Sequence, residues 1–182
     1  MAIPADMAPG GTAKETGAHE DKFLVASVSH LWLPDLVAID STWNPRSWSA
    51  RLFSQELVND IARVKGLFCG SSLVGYLIAH VVLDEAHIVS LGLAPAWRGR
   101  GGGSYLLNEF LRSVYLEGVR SVTLDVRLSN DRAQNLYQRV GFQVVGLRRH
   151  YYSDNGEDAL TMRLELRHER FLTMKRGLAN GV

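Results

Sequence analysis

The sequence predicts an α/β (α+β) chain built on a mixed, twisted sheet of about six to seven strands with helices on both faces. Three observations carry this. Three apolar stretches, Ala62–Cys69, Leu73–Leu83 and Ala86–Leu93, are separated by short turn signals, the spacing of antiparallel hairpins. After Leu93 the pattern changes, and segments of helical period alternate with strands in the order β-α-β-α-ββ. The change falls on a glycine cluster, Gly99 to Gly103, between the end of an apolar strand and the start of an amphipathic helix. A strand that feeds a helix and then another strand implies a right-handed crossover and a parallel pair, so the sheet must be mixed.

Each element has its own warrant. Phe23–Val28 is a first strand, and the apolar rhythm Leu31, Leu33, Leu36, Val37 suits a short helix entered through Leu33-Pro34. Ser47 or Ser49 can N-cap a second helix carrying Leu52, Phe53 and Leu57. Ala62–Cys69 and Leu73–Leu83 read as a hairpin around Gly70-Ser71-Ser72, and Ala86–Leu93 follows, with Gly92 where a bulge could splay it from its neighbour. Leu106, Leu107, Phe110, Leu111, Val114 and Tyr115 follow the i, i+3, i+4, i+7 pattern of a buried helical face, which Gly118 closes. Val122–Arg127 alternates as a strand. Asn130 or Asp131 caps a short helix that Gly141 ends; Phe142–Leu147 and Ala159–Leu166 then pair across a polar hairpin at Ser153–Asp158.

Composition narrows the class. A chain of 182 residues suits one domain with a proper core, here expected over residues 22–167. Residues 1–21, rich in Ala, Gly, Pro and Glu, read as a disordered extension, and residues 168–182 as a basic, flexible tail. A net charge of +1 gives no basic stripe for nucleic acid. The single cysteine, Cys69, excludes an intrachain disulfide framework or a cysteine-based metal site. No apolar run approaches the roughly 18 residues of a membrane helix, and the N-terminus lacks a signal-peptide pattern; a cytoplasmic location is expected.

The glycine cluster asks for an anion. Glycine allows positive φ and close backbone approach, and the free N–H groups of a helix's first turn favour negative charge. Arg98 and Arg100 add positive charge. A P-loop would require a lysine before Ser104, and the dinucleotide fingerprint a different glycine spacing; neither fits.

Arg98-Gly99-Arg100-Gly101-Gly102-Gly103 instead resembles the [QR]-x-x-G-x-[GA] acyl-CoA pyrophosphate loop of the GCN5-related N-acetyltransferases, the GNAT family. Further blocks resemble the RimI-like branch of that family: Leu124-Asp125-Val126-Arg127-Leu128-Ser129-Asn130; Ala133 through Leu136-Tyr137 to Gly141-Phe142; and Arg148-Arg149-His150-Tyr151-Tyr152 with Glu157-Asp158-Ala159-Leu160-Thr161-Met162. The resemblance runs from Ile88 to Met162, with lesser matches at Trp48-Ser49 and Val81–Ala86.

This resemblance implies the GNAT fold, acetyl-CoA as co-substrate, and no metal. It implies that the amides of Arg100, Gly101, Gly102, Gly103 and Ser104, in a loop opened by Arg98 and Gly99, hold the pyrophosphate. Leu91, Gly92 and Leu93 would pair with the pantetheine arm, with the Leu93 N–H polarising the thioester, and Asn130 would add a cofactor contact. Tyr137 would be the general acid and Asp125 the general base, while Arg149, Tyr151 and Tyr152, beside Arg148, would clamp the acceptor peptide. The implied acceptor is a protein N-terminal α-amine, the N-terminal alanine of ribosomal protein S18, taken by a monomer or weak dimer.

The chain departs from the branch at two positions, with Asp125 where the branch has glutamate and His150 where it has asparagine. The shorter carboxylate would act through a water, and Glu85, His87 and His150 stand as alternative bases. Tyr137 as a core tyrosine and Asn130 as a plain cap are the structural alternatives. A lysine or small-amine acceptor, or a non-catalytic acyl-CoA-binding module, are the functional ones.

Overall fold

The computed structural model describes residues 22–44 and 46–170. The expected extension, residues 1–21, and residues 171–182 of the expected tail lie outside the described residues. In chain order the strands are β1 (Phe23–Ser27), β2 (Ala62–Cys69), β3 (Ser72–Val82), β4 (Glu85–Leu93), β5 (Ser121–Arg127), β6 (Gln143–Tyr152) and β7 (Glu157–Glu165). The α-helices are α1 (Leu33–Ser41), α2 (Ala50–Leu57), α3 (Gly102–Leu116) and α4 (Asp131–Val140), with short 3₁₀ turns at His30–Trp32 and Pro95–Trp97. The strands form one mixed seven-stranded sheet in the order β1-β2-β3-β4-β5-β7-β6, flanked by the helices, as the sequence leads one to expect. The chain divides into two compact units. One contains the residues up to His80 together with Ile88–Glu109; the other contains Val81–His87 and the chain from Phe110 onward.

In the first unit β1, β2 and β3 run antiparallel, with Ala26 opposite Gly66 and Gly66 opposite Tyr76. Val64, Phe68, Tyr76 and Ile78 share one face of this meander and are buried against Trp32, Leu36 and Ile39 before and within α1 and Phe53 of α2. Ring contacts order this layer: Trp32 meets Phe68 edge-on at 5.2 Å, and Phe53 meets Tyr76 at 5.4 Å and 89°. Each fully buried Leu or Phe here contributes about 1.5–3 kcal/mol relative to exposure. Ser49, not Ser47, caps α2, its hydroxyl accepting from the Leu52 N–H at 3.3 Å. The opposite face carries the fully buried Leu67, and α3 begins against it: a Cβ on Gly102 would stand 2.9 Å from Leu67 Cδ2 and 3.3 Å from Phe23 Cζ. A side chain at Gly102 would push the helix start off the sheet.

In the second unit β7 pairs antiparallel with both β5 and β6. Val122, Leu124 and Val126 are buried on alternate positions of β5, with Met162 and Leu164 opposite them on β7. The two helix ends in this unit use the same device. Gly118 at φ +105° and Gly141 at φ +104° turn the chain left-handed; the next N–H, of Val119 and of Phe142, then donates back to Val114 O and Tyr137 O, both at 3.0 Å. This is the Schellman closure, with the apolar contact that usually accompanies it made by Phe142 against Tyr137.

β6 is longer than the pattern Phe142–Leu147 leads one to expect, because it continues through Arg148-Arg149-His150 to Tyr152. It is an edge strand, exposed along nearly its whole length, so apolar alternation does not report it. Its register slips between Arg148 and Tyr152, where His150 takes φ +51°.

Candidate functional site

In the first unit the glycine loop that the sequence marks for an anion is built from backbone. β4 ends at Leu93, the 3₁₀ turn Pro95–Trp97 follows, and Gly99 and Gly101 take φ +82° and +83° before α3 starts. The left-handed backbone is what these two positions require, and open space surrounds the place of a Cβ on Gly101. Gly102 is different, since it is required for close approach to Leu67. The Tyr105 N–H donates to Gly101 O at 3.0 Å, closing the first helical turn. The amides of Gly102, Gly103 and Ser104 therefore have no intrahelical acceptor, and α3 has no acidic residue in its first turn. A loop with this shape and these donors fits a phosphate group.

Neither arginine of the loop is loose. Arg98 donates from Nε to Leu93 O at 3.0 Å and from Nη2 to the Thr42 hydroxyl at 2.6 Å. Arg100 stacks over Trp97, its guanidinium carbon 5.3 Å from the ring centroid. On β4, Leu91 and Leu93 are half-buried and Gly92 is buried. A Cβ on Gly92 would stand 2.6 Å from Trp43 Nε1 and 2.7 Å from Tyr76 Cε1, so the glycine makes room for two rings at the strand end.

The same unit holds a carboxylate that sequence reasoning missed. Asp40, at the end of α1, is fully buried. It accepts from the Tyr76 hydroxyl at 2.5 Å, from the Trp48 N–H at 2.6 Å and from Asn44 Nδ2 at 3.2 Å. Tyr76 Oη also lies 2.8 Å from Ser90 Oγ on β4. Burial first, and then the bond to Asp40, push the Tyr76 phenol well above its ordinary range. The available signal was positional: Asp40 follows Leu36 by one helical turn, on the buried stripe of α1.

The second unit, taken by itself, holds the side chains expected to act as base, acid and peptide clamp. Asp125 lies on β5 opposite Thr161 of β7, and its side chain is 4 % exposed. Thr161 Oγ1 donates to Asp125 Oδ1 at 2.7 Å and Arg148 Nε lies 3.4 Å from the same oxygen. Oδ2 is buried and has no hydrogen-bond partner among the described residues. Tyr137, on α4, is 7 % exposed and stacks edge-on with Phe142 at 5.7 Å. Its hydroxyl makes no hydrogen bond among the described residues, unlike the usual core tyrosine. Burial, with Tyr152 adding to it, raises the Tyr137 phenol far above its ordinary range, so the group holds its proton throughout neutral pH.

Tyr152 joins the two. Its phenol is pushed up to about 12, chiefly by burial, partly opposed by Arg127 and reinforced by Tyr151, Asp125 and Glu157. Arg127 lies over the Tyr152 ring at 3.8 Å and bonds Asp154 at 2.7 Å and Glu157 at 3.0 Å, fixing the β6–β7 turn. Tyr151 meets Tyr152 edge-on at 5.2 Å, beneath the Arg148 guanidinium. Arg149 is exposed on β6.

Asn130 caps α4, its Oδ1 accepting from the Ala133 N–H at 3.1 Å. The alternative bases are all engaged: Glu85 with Ser121 and Arg163, His87 with Thr123 at 3.0 Å, His150 with Gly156 O at 3.2 Å. Among the described residues no group of three His, Cys, Asp or Glu could hold a metal, and no helix is long and apolar enough to cross a membrane.

A mixed sheet of this order, with an uncapped glycine-rich helix start after β4, defines the class: the chain belongs to the acetyltransferase (GNAT) family, whose profile matches residues 26–142. The family implies acetyl-CoA as co-substrate. Within that class the chain is 42 % identical over 120 residues to the N-alpha-acetyltransferase RimI of Mycobacterium tuberculosis, covering 64 % of this chain and 74 % of that one. The crystal structure of the ribosomal-protein-S18-alanine N-acetyltransferase of Escherichia coli superimposes with a TM-score of 0.73 at 29 % identity, over 79 % of this chain and 94 % of that one. The spermidine/spermine N-acetyltransferase SpeG of Vibrio cholerae, in mutant forms, reaches 0.71 at 16 % identity, over 84 % of this chain and 98 % of that one, a likeness of fold alone.

Proposed function

We propose that this chain is an N-acetyltransferase that moves the acetyl group of acetyl-CoA to the α-amine of a protein N-terminus, with the N-terminal alanine of ribosomal protein S18 as its candidate acceptor. The observation that carries the reading is the buried carboxylate of Asp125. One oxygen is held by Thr161 and Arg148, and the other is left without a partner among the described residues, near Tyr152, whose phenol is pushed up to about 12 chiefly by burial. The relatives named for alanine and α-amine acetylation support the choice of acceptor.

The roles are those that the family resemblance implies, assigned to this chain's residues. Acetyl-CoA, when bound, supplies the acetyl thioester. The amides of Arg100 to Ser104 hold its pyrophosphate at the start of α3, within the motif opened by Arg98 and Gly99. Leu91, Gly92 and Leu93 line the pantetheine arm, the Leu93 N–H donates to the acyl oxygen as charge grows there, and Asn130 adds a contact beyond its capping bond. Asp125 Oδ2 receives the ammonium proton through a water, which leaves the amine lone pair free to form the N–C bond. Tyr137 would give its phenolic proton to the sulfur as the C–S bond breaks, and the second proton that the acylated nitrogen sheds would restore the phenol. Arg149, Tyr151 and Tyr152 hold the acceptor peptide.

A weak base suffices for this acceptor. An α-amine with a pKa of about 7.7–8.0 is already neutral in roughly a tenth of molecules at pH 7, whereas a lysine near 10.4 is neutral in less than about a thousandth. A retracted aspartate therefore suits an N-terminus better than a lysine. The test is acetyl-CoA turnover on short peptides differing in the first residue, beside free lysine and spermidine. Preference for alanine-first peptides is expected; faster turnover of lysine or spermidine overturns the acceptor, and no turnover on any amine overturns the activity.

A further inference from the structure

Arg98 opens the motif that belongs to the cofactor, yet its side chain works elsewhere. Its Nε is bonded to Leu93 O, the last residue of β4, and its Nη2 to the hydroxyl of Thr42, which follows α1. Thr42 is also the residue whose hydroxyl closes α1, donating to Ile39 O at 2.7 Å. From there the chain turns through Trp43 and Asn44 toward Trp48 and α2. This turn stands at the reacting end of the strand, because Trp43 Nε1 occupies the space beside Gly92 that a Cβ would fill.

Two independent fastenings hold the turn. From inside, the buried Asp40 carboxylate grips the Trp48 N–H and Asn44 Nδ2, while its backbone carbonyl accepts from the Trp43 and Asn44 amides at 3.2 and 3.0 Å. Tyr76 and Ser90 tie that carboxylate to β3 and β4. This fastening runs from α1 to β3 and β4. The outer fastening is different. Its donor is the first residue of the loop itself, one position before the left-handed Gly99. Whatever fixes the loop backbone fixes the root of the Arg98 side chain, and so fixes Thr42.

We propose that Arg98 is a positioning residue through which seating of acetyl-CoA on the glycine loop stiffens the turn at Thr42, Trp43 and Asn44, so that the acceptor is bound well only when the acyl donor is in place. The role presupposes acetyl transfer as described above. Arginine is required because its planar fork reaches two acceptors in fixed geometry; lysine keeps the charge but is a single point donor. The coupling is reciprocal: an acceptor peptide that favours the stiffened turn must raise acetyl-CoA affinity by the same factor.

The experiment uses the full chain and four variants: Thr42→Val, which removes the receiving hydroxyl; Thr42→Ser, which keeps it; Arg98→Lys; and the Arg98→Lys/Thr42→Val double variant. With an alanine-first peptide as acceptor, Thr42→Val is expected to raise acceptor KM by about ten-fold, the effect of one charge-assisted hydrogen bond, with acetyl-CoA affinity by calorimetry within about two-fold of the parent. Thr42→Ser should restore the parent KM. The Arg98→Lys/Thr42→Val double variant should have an acceptor KM no higher than the worse single variant, because both remove one interaction. Additive losses overturn the proposal, as does an unchanged KM in Thr42→Val.

Hydrogen exchange supplies the readout that does not need turnover. Adding acetyl-CoA to the parent should slow exchange at the Gly102–Ser104 amides and at Trp43, Asn44 and Trp48. In Thr42→Val only the first set should slow. Protection of the loop without protection of the turn in the parent overturns the Arg98 role alone. Absence of protection at the loop itself overturns the cofactor site, and the coupling with it.

Discussion

The starts of α3 and α4 are built in opposite ways. At α4 every device for satisfying a helix N-terminus is present: Asn130 caps it through its side chain, Asp131 puts a carboxylate in the first turn, and Glu157 accepts from the Ser129 N–H at 2.8 Å just before it. At α3 the residue in the capping position is Gly101, which has no side chain, and the first turn has no acid. The partial positive charge of the α4 terminus is offset from within, while the first turn of α3 carries no carboxylate of its own. Under the proposed function the start of α3 is the one that takes the phosphate, and Asn130 serves first as the cap of α4.

The largest expected effect comes from filling the open start. Gly101→Asp places a side chain at φ +83° and a negative charge beside the loop amides. Acetyl-CoA affinity measured by calorimetry should fall by at least about 100-fold, from backbone strain and charge together. Unchanged affinity would remove the anion site from α3.

Next in size is the acid. Tyr137→Phe should lower kcat by about 10²–10⁴ with little change in acetyl-CoA affinity. Because the hydroxyl has no hydrogen-bond partner among the described residues, the same variant should keep the parent melting temperature. A variant that loses stability but not kcat returns Tyr137 to the core.

Asp125→Ala sharpens the contrast by separating chemistry from architecture. Its kcat/KM should fall most near pH 6 and recover toward the parent above about pH 8, where most of an α-amine is neutral unaided. Asp125→Glu should keep or raise activity. A ratio of variant to parent that is flat from pH 6 to 9, in step with lower thermal stability, would make Asp125 structural.

The smallest effects belong to the filled start. Asn130→Ala should cost about 1 kcal/mol, read as a fall in Tm of about 2–4 °C. Glu157 is held at about 2, below its ordinary 4.5, first by its hydrogen bond to Ser129 and then by Arg127 and Asn155. A carboxylate whose folded pKa is depressed contributes its stability fully above pH 4.5 and loses it as pH falls toward 2. The stability gap between the parent and Glu157→Gln should therefore be constant from pH 6 to 9 and close in acid. A gap that widens in acid contradicts the assigned bonds.

The same contrast explains what could be read in advance. Local backbone chemistry was legible: the glycine loop, the Asn130 cap, the Gly118 and Gly141 closures and the alternation of β5 are each written within a few residues. Asp40 was not, because its partners lie at Trp48 and Tyr76, eight and 36 positions away, and a lone aspartate in an apolar helix face has no motif. Thr161 on Asp125 is hidden in the same way, 36 positions distant. The end of β6 was missed because hydrophobic period reports buried faces, and this strand has almost none. One departure from the family pattern acquires a physical reason. His150 stands at φ +51°, a region that asparagine and histidine enter more readily than most side chains, so the exchange preserves the backbone while changing the ring.

That left-handed histidine also bears on the exposed edge of the sheet. β6 closes the sheet as an edge strand, with Val144, Val145 and Leu147 exposed, the sort of border that recruits strands from other chains. Beyond Leu147 the border becomes unusable. Arg148 and Arg149 bring charge, the backbone at His150 reverses its twist, and the His150 N–H is already given to Asp158 Oδ1 at 2.8 Å. The length of edge that another strand could copy is cut to its first half, and restoring an extended backbone at position 150 would lengthen the template for aggregation.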